Sequence, residues 1–416
     1  MRTLFLHIGH GKTGSSYLQS AFRGNRERLA RQGIVYPAGA DRDVTDPLAV
    51  TPGNGPGLLS SEGALAAALV EREGEVAGRS ALFSSEWLIR ELHARPDLGF
   101  LPTVAGKAGY ARVAVLLFVR DPLGDAASRW RDWIKSRGHV GPIEDCFRAF
   151  ERPEMVADVL DRLGALEGVA TTVLNYSRCR ERLLAVAGAW LGLAESLVPP
   201  PVPRVNRALS AGELVFQRAL NAAAGASGGF LAERLCKRLP DVETDDLRPS
   251  LAVQEETWAR LLPAIERVNA HLPEGQRYRC DVKPPLDLDG EQRLGEHQLR
   301  VIAEEVGGEI RRLREKVEVL GAERTRLRER LEGMRRDPGR TIPGRLLVRG
   351  LATRLRDLVL GRPPARDRSH AERAGCDGGG GAGPPGRSAP RALQGPRHGR
   401  TFPRAVAEHG GGEALG

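Results

Sequence analysis

Short apolar runs separated by amphipathic stretches organise the first half of the chain. Residues 3–9 (TLFLHIG) are apolar almost throughout and end on glycine, the pattern of a strand buried on both faces. Residues 80–84, 113–119 (VAVLLFV) and 169–174 repeat it. Between these runs, residues 15–22, 62–73, 126–135 and 180–191 read as helices. The first opens on two serines and places Tyr17, Leu18 and Phe22 at helical spacing. Strands alternating with helices predict an α/β fold: a parallel sheet flanked by helices on both faces.

The pattern then changes. Residues 210–272 carry only helical periodicity, which predicts a helical extension closing over the sheet, and residues 282–288 form a proline-containing linker. From there Leu299, Val306, Leu313, Leu320, Leu327 and Met334 recur every seven residues. Ala303, Ile310, Val317, Arg324 and Leu331 fill a second seam four residues after each of the first five. Glu and Arg occupy most intervening positions. Two such seams predict a coiled coil over 289–337, and β-branched Ile310 and Val317 opposite Leu313 and Leu320 favour a parallel homodimer. Arg324 in the seam costs stability and fixes register.

Residues 338–361 are expected to form a basic amphipathic helix. Its core, 345–360 (RLLVRGLATRLRDLVL), could pack on a neighbour or make membrane-surface contact with anionic lipid. Residues 362–416 are Gly, Pro and Arg-rich without periodicity, the composition of a disordered low-complexity tail. The domain organisation expected is thus 1–288 α/β, 289–337 coiled coil, 338–361 basic helix and 362–416 tail.

Composition refines this picture. The 50 glycines and 28 prolines are too many for one compact fold, and they concentrate in the tail. A net charge of +9 implies an anionic ligand, substrate or surface. Only 5% of residues are aromatic and no reader module is present, so no specific nucleic acid is expected as a partner. Five scattered cysteines without a CxxC pair argue against a disulfide framework or zinc site and for a reducing compartment. With no signal-peptide pattern and no run near the roughly 20 apolar residues of a membrane span, the expected location is cytoplasmic, with peripheral contact at the inner membrane surface through 345–360.

The chemistry concentrates in "LHIGHGKTGSS", residues 6–16. A nucleotide-binding P-loop reads G-x-x-x-x-G-K-[ST]. Gly11, Lys12 and Thr13 supply its end, but Leu6 stands where the opening glycine belongs. What remains is a phosphate cradle: a strand, a glycine turn, Lys12, then Thr13, Gly14, Ser15 and Ser16 at a helix N-terminus, where free N–H groups and the helix dipole attract an anion. A second segment, "VRDPLGDAASRW", places Arg120 just past a strand and Ser128 eight residues on, in a helix begun by Pro122. Ligands of parallel sheets bind at the carboxyl ends of strands. A guanidinium suits a phosphate there, so the two segments together predict two phosphate sites in one cleft.

These segments resemble the sulfotransferase family, which takes its sulfuryl group from 3′-phosphoadenosine 5′-phosphosulfate (PAPS). "HIGHGKTGSSYLQ" is similar to that family's 5′-phosphosulfate loop, "VRDPLGDAASRW" to its 3′-phosphate segment, and residues 205–221 (VNRALSAGELVFQRALN) to a downstream segment of bacterial members. The resemblance covers roughly residues 1–275 and implies a P-loop-NTPase-like three-layer domain. It also implies that Lys12, Thr13, Gly14, Ser15 and Ser16 hold the 5′-phosphosulfate while Arg120 and Ser128 hold the 3′-phosphate. Asp125 stands where many carbohydrate sulfotransferases have a second Arg, and no R-K-G-x-x-G segment is present.

Transfer to a hydroxyl or amine acceptor would need Lys12 to stabilise the leaving phosphate oxygen and a base to take the acceptor proton. No metal is required. Glu86, just past the strand at 80–84, is the first candidate for the base, provided that burial beside Trp87 raises its pKa. His10 competes because an imidazole titrates in a suitable range; His93 is more distant, and His7 reads as structural. The acceptor expected is a carbohydrate, with lipid or small molecule acceptors also open. The alternatives are a P-loop-type small-molecule kinase, or a non-catalytic nucleotide-binding scaffold whose coiled coil is the working part.

Overall fold

The computed structural model describes residues 1–39, 53–76, 78–201, 207–225, 229–286 and 293–336. The basic segment 345–360, the tail after 362 and residues 287–288 of the expected linker lie outside the described residues.

The elements follow in the order β1 (Thr3–His7), α1 (Ser15–Gly24), α2 (Arg26–Arg31), β2 (Ile34–Val35), α3 (Glu62–Glu71), α4 (Glu73–Val76), β3 (Ser80–Ser84), α5 (Leu88–His93) and α6 (Phe100–Lys107). Next come β4 (Arg112–Val119), α7 (Pro122–Arg137), α8 (Ile143–Arg148), α9 (Arg152–Gly164), β5 (Val169–Asn175), α10 (Tyr176–Cys179) and α11 (Leu183–Leu191). The chain continues through α12 (Ala211–Ala224), α13 (Gly229–Arg238), α14 (Leu251–Ala270) and α15 (Glu296–Arg336). The five strands make one parallel sheet in the order β2-β3-β1-β4-β5. Central β1 pairs Leu6 with Phe83 on one side and with Val115 on the other.

Successive side chains of a strand point to opposite faces, and here both faces are buried. On β4, Val113, Val115, Leu117 and Val119 enter one core, while Ala114, Leu116 and Phe118 enter the other. Each of the larger of these side chains contributes about 1.5–3 kcal/mol by leaving water, which is why the run shows no polar alternation. The two-residue strand β2 was too short to be read from the sequence. The helical stretch expected after residue 210 is α12–α14. They pack on α7, α8 and α9, over one face of the sheet.

The segment 205–221, described from Arg207, has a structural explanation. Ser210 caps α12 by accepting from the Glu213 N–H, and Glu213 reaches back to the Ser210 N–H. The same carboxylate takes both Nη atoms of buried Arg207, at 2.7 and 2.8 Å, and the Nε2 of Gln298 from α15 at 2.9 Å. One buried anion thus joins the start of α12 to the start of α15.

Helix α15 runs unbroken through Gly307 and Gly308. Val301 and Ile302 are buried against α13 residues Leu231 and Leu235, and Val306 packs on the same cluster. The first turns of the expected coiled coil therefore dock on the α/β unit, because Val306 is needed there. Beyond them Ile310, Leu313, Val317 and Leu320 are exposed. Two compact units are distinguished, Met1–Glu323 and Arg324–Gly416. Among the described residues no helix is long and apolar enough to cross a membrane. Cys146, Cys179 and Cys236 are buried free thiols, and Cys280 is an exposed one.

Candidate functional site

The chain leaves β1 toward β2 and β3 but leaves β4 toward β5, which opens a crevice between the carboxyl ends of β1 and β4. The loop after β1 and Arg120 after β4 border it directly. Glu86 after β3 and Tyr176 after β5 stand on either side.

The loop after β1 is shaped to present N–H groups. Lys12 and Gly14 both hold left-handed backbone, φ 75° and 77°, on either side of Thr13. A side-chain-bearing residue in that conformation costs about 1–3 kcal/mol and is typical of ligand clamps. Replacing Gly14 would be strained: its φ is left-handed and a Cβ would lie 2.6 Å from Leu183 Cδ1 on α11, which would have to shift. Helix α1 has no side-chain cap and no acidic residue in its first turn. The backbone N–H groups from Lys12 through Ser16 find no acceptor among the described residues. Ser15, Ser16 and the loop thus form a concave row of donors.

Internal bonds brace this loop. Thr13 Oγ1 donates to the His10 carbonyl at 2.6 Å, a fixing role rather than one aimed into the cleft. Arg152, at the start of α9, donates to the Gly11 carbonyl at 3.0 Å and to both oxygens of Asp125 at 2.9 and 3.0 Å. Asp125, 1% exposed, is therefore the buried counter-ion of Arg152. Arg152 Nη1 also meets His10 Nδ1 at 3.1 Å. His10 Nδ1 also lies 3.1 Å from the Gly11 carbonyl, so the ring is packed between the loop and Arg152.

Lys12 Nζ lies 2.5 Å from Asp132 Oδ1 on α7, and Arg120 Nη1 donates to the Lys12 carbonyl at 3.3 Å. The two segments singled out in the sequence are thus in direct contact. On α7, Gly124, Ser128, Arg131 and Asp132 share one face, at helical spacing. Beside Gly124 two guanidiniums converge: a Cβ there would sit 3.8 Å from Arg120 Nε and 3.7 Å from Arg248 Nη2. Arg248 is 5% exposed, and its Nη1 is buried without an acceptor; Asp246 lies beside its Nε at 3.2 Å but off the N–H direction. Arg131 Nε is likewise buried without an acceptor. Burial, and after it the charge of Arg120, pulls the Arg131 pKa down to about 10. Asp121, next to Arg120, is committed elsewhere, to Arg178 at 2.8 Å and Asn175 at 2.7 Å. Three arginines thus cluster by this face of α7, and two of their guanidiniums have donors left over.

Glu86 is half-buried beside the loop. Its Oε2 accepts from Ser15 Oγ at 3.3 Å and would be 3.2 Å from a Cβ on Gly11, a close approach to the loop. His10 is 3% exposed, and burial lowers its pKa to about 4. The expectation that His10 titrates in a range suited to a base is corrected by that burial. His7 is fully buried on β1, bonded to Ser84 Oγ at 2.8 Å, with its pKa also lowered to about 4 by burial. His93 is exposed at the end of α5 and is not brought to the loop.

A cavity of about 810 Å³ opens beside Gly14, lined among others by Tyr17, Tyr176, Arg180, Arg182 and Leu183. The Arg120 guanidinium lies over the Tyr176 ring, 5.9 Å from its centroid. Sequence reasoning missed Arg131, Arg152, Arg248 and Tyr176. Only Arg131 carried a signal, its spacing of three residues from Ser128. Among the described residues no cluster of three His, Cys, Asp or Glu is placed to hold a metal ion. No family model and no curated protein matches the chain.

Proposed function

We propose that this chain is a sulfotransferase that uses PAPS, built on a three-layer domain of the P-loop NTPase type. The observation that carries the reading is the contact between the two anion pockets. Arg120 Nη1 bonds the Lys12 carbonyl, so the row of N–H donors at Lys12–Ser16 and the Arg120–Arg131–Arg248 pocket border one crevice. A nucleotide with phosphate at both its 5′ and 3′ positions needs such a pair. The buried, acceptorless nitrogens of Arg131 and Arg248 suit its second phosphate, and the cavity beside Tyr176 suits its adenosine.

In the reaction an acceptor oxygen or nitrogen bonds to sulfur as the bond from sulfur to the 5′-phosphate oxygen breaks, and the acceptor gives up its proton. Lys12 stabilises the negative charge left on that phosphate oxygen, helped by Ser15, Ser16 and the helix N-terminus. To do so its ammonium exchanges Asp132 for phosphate. Glu86, at the loop and half-buried, takes the acceptor proton; buried His10, with a pKa near 4, is poorly suited to it. Arg120, Arg131, Arg248 and Ser128 grip the 3′-phosphate. Arg152 and Asp125 keep the loop in shape. The acceptor we assign is a saccharide. The exposed seam of Ile310, Leu313, Val317 and Leu320 makes the protein a homodimer through α15.

The kinase reading is weaker on a specific point. Leu6, at the position of the P-loop's opening glycine, is fully buried inside β1 and paired on both sides. Transfer of radiolabelled sulfate from PAPS into fractionated cell-envelope extract tests the proposal. Lys12→Ala is expected to lower incorporation about 10²–10³-fold. Equal labelling by the variant would remove Lys12 from the chemistry.

A further inference from the structure

Three aspartates lie along α7 and at its entry. Asp121 and Asp125 are buried counter-ions, of Arg178 at 2.8 Å and of Arg152 at 2.9 Å. Asp132 differs in its partner. Its Oδ1 lies 2.5 Å from the ammonium of Lys12, its only ion-pair partner among the described residues. The contact joins positions 120 apart, so the packing of the loop against α7 creates it, not the local chain. Water reaches it, since 29% of the Lys12 side chain and 33% of the Asp132 side chain are exposed. The main chain of Lys12 is fixed separately, by its left-handed φ of 75° and by Arg120 on its carbonyl. Its ammonium can therefore change partner through side-chain torsions alone, with the loop unmoved. A carboxylate in that position opposes the binding of phosphate twice. It engages the cation that the phosphate needs, and once freed it is an unpaired negative charge near the ligand.

We propose that Asp132 is a positioning residue that competes with the nucleotide for Lys12, and that its recapture of the ammonium after transfer speeds release of the spent 3′,5′-bisphosphate. The proposal rests on the sulfuryl-transfer reading and deepens it by assigning a residue to product release. It meets a physical need. When the bond from sulfur to the phosphate oxygen breaks, that oxygen gains negative charge, so Lys12 holds the product more tightly than the donor. A cation that stabilises the leaving group in this way slows the step that follows, and release of product limits turnover in many enzymes. A second anion within reach of the ammonium offsets that hold without weakening the charge Lys12 presents during the reaction.

The test is calorimetric titration of the full chain with 3′-phosphoadenosine 5′-phosphate, together with the rate at which the bound, radiolabelled nucleotide is released into an excess of unlabelled nucleotide. Because Asp132 is part-exposed, Asn at this position leaves the core untouched. Asp132→Asn is expected to bind the bisphosphate at least about tenfold tighter, chiefly through slower release. Asp132→Glu, which keeps the charge, should stay near wild type. In a Lys12→Ala background the Asn substitution should gain distinctly less, because a purely repulsive effect of Asp132 would persist there and competition for Lys12 would not. No tightening in Asp132→Asn, equal tightening in both backgrounds, or a Glu variant that behaves like Asn overturns the proposal with the sulfuryl-transfer reading intact. Failure of the bisphosphate to bind either wild type or Asp132→Asn overturns both.

Discussion

Lys12 is the most constrained residue of the site. Its backbone is left-handed, its carbonyl accepts from Arg120 and its ammonium meets Asp132, so main chain and side chain are both held by the stretch from β4 into α7. Two nearby histidines set a pH dependence. His7 and His10 have pKa values lowered by burial to about 4, below the ordinary 6.5 that they regain on unfolding. Between those values the unfolded chain binds more protons than the folded one. Their contribution is therefore complete above about pH 6.5 and is lost as the pH falls toward 4, by up to about 3 kcal/mol for each. Urea midpoints at a series of pH values should decline through this window, and His10→Asn, which keeps an acceptor for Arg152, should flatten the decline. A midpoint constant from pH 7 to 4.5 would contradict the burial of both rings. At this scale the loop was legible, because strand, glycines, lysine and hydroxyls are contiguous. Arg152 was not: it reaches His10 across 142 positions, and its partner Asp125 read as a missing arginine rather than as a counter-ion.

Elements explain why one short helix matters so much. Pro122 starts α7 with its φ already set, and Gly138 ends it in left-handed conformation. Sixteen residues then offer an apolar face with Trp130 and Ile134 in the core and a polar face on which Asp132 meets Lys12. The apolar periodicity located the helix, but its polar face could be assigned only once the loop after β1 was in place beside it. The sheet was legible where both faces are buried, as in β4, and not in two-residue β2. Glu213 supplies the test at this scale. Burial pushes its pKa up, but Arg207, Gln298 and the Ser210 N–H outweigh that and hold it below the usual range. Glu213→Ala strands Arg207 in the interior and should cost about 3–5 kcal/mol in a denaturant titration. A loss under about 1 kcal/mol would mean that the pair does not hold α12 to α15.

At the scale of the whole molecule, the net charge of +9 gains a location. Part of it gathers as Arg120, Arg131 and Arg248 near Gly124 of α7. The heptads were legible in the sequence, but their first turns proved to serve the α/β unit. On the proposed homodimer through the remaining exposed seam, Val317→Glu with Leu320→Glu should convert dimer to monomer in light scattering with binding of the nucleotide retained. A wild-type chain that is monomeric at micromolar concentration would refute that association. The central claim is that two adjoining anion pockets grip one doubly phosphorylated adenosine. It is tested most directly by calorimetric titration of the full chain with 3′-phosphoadenosine 5′-phosphate and, separately, with ATP and Mg²⁺. The account predicts that the bisphosphate binds with one site per chain and loses about 10–100-fold in affinity on Arg120→Ala, as expected for removal of a charge-assisted phosphate contact. Preferential binding of ATP, indifferent to Arg120, would contradict it.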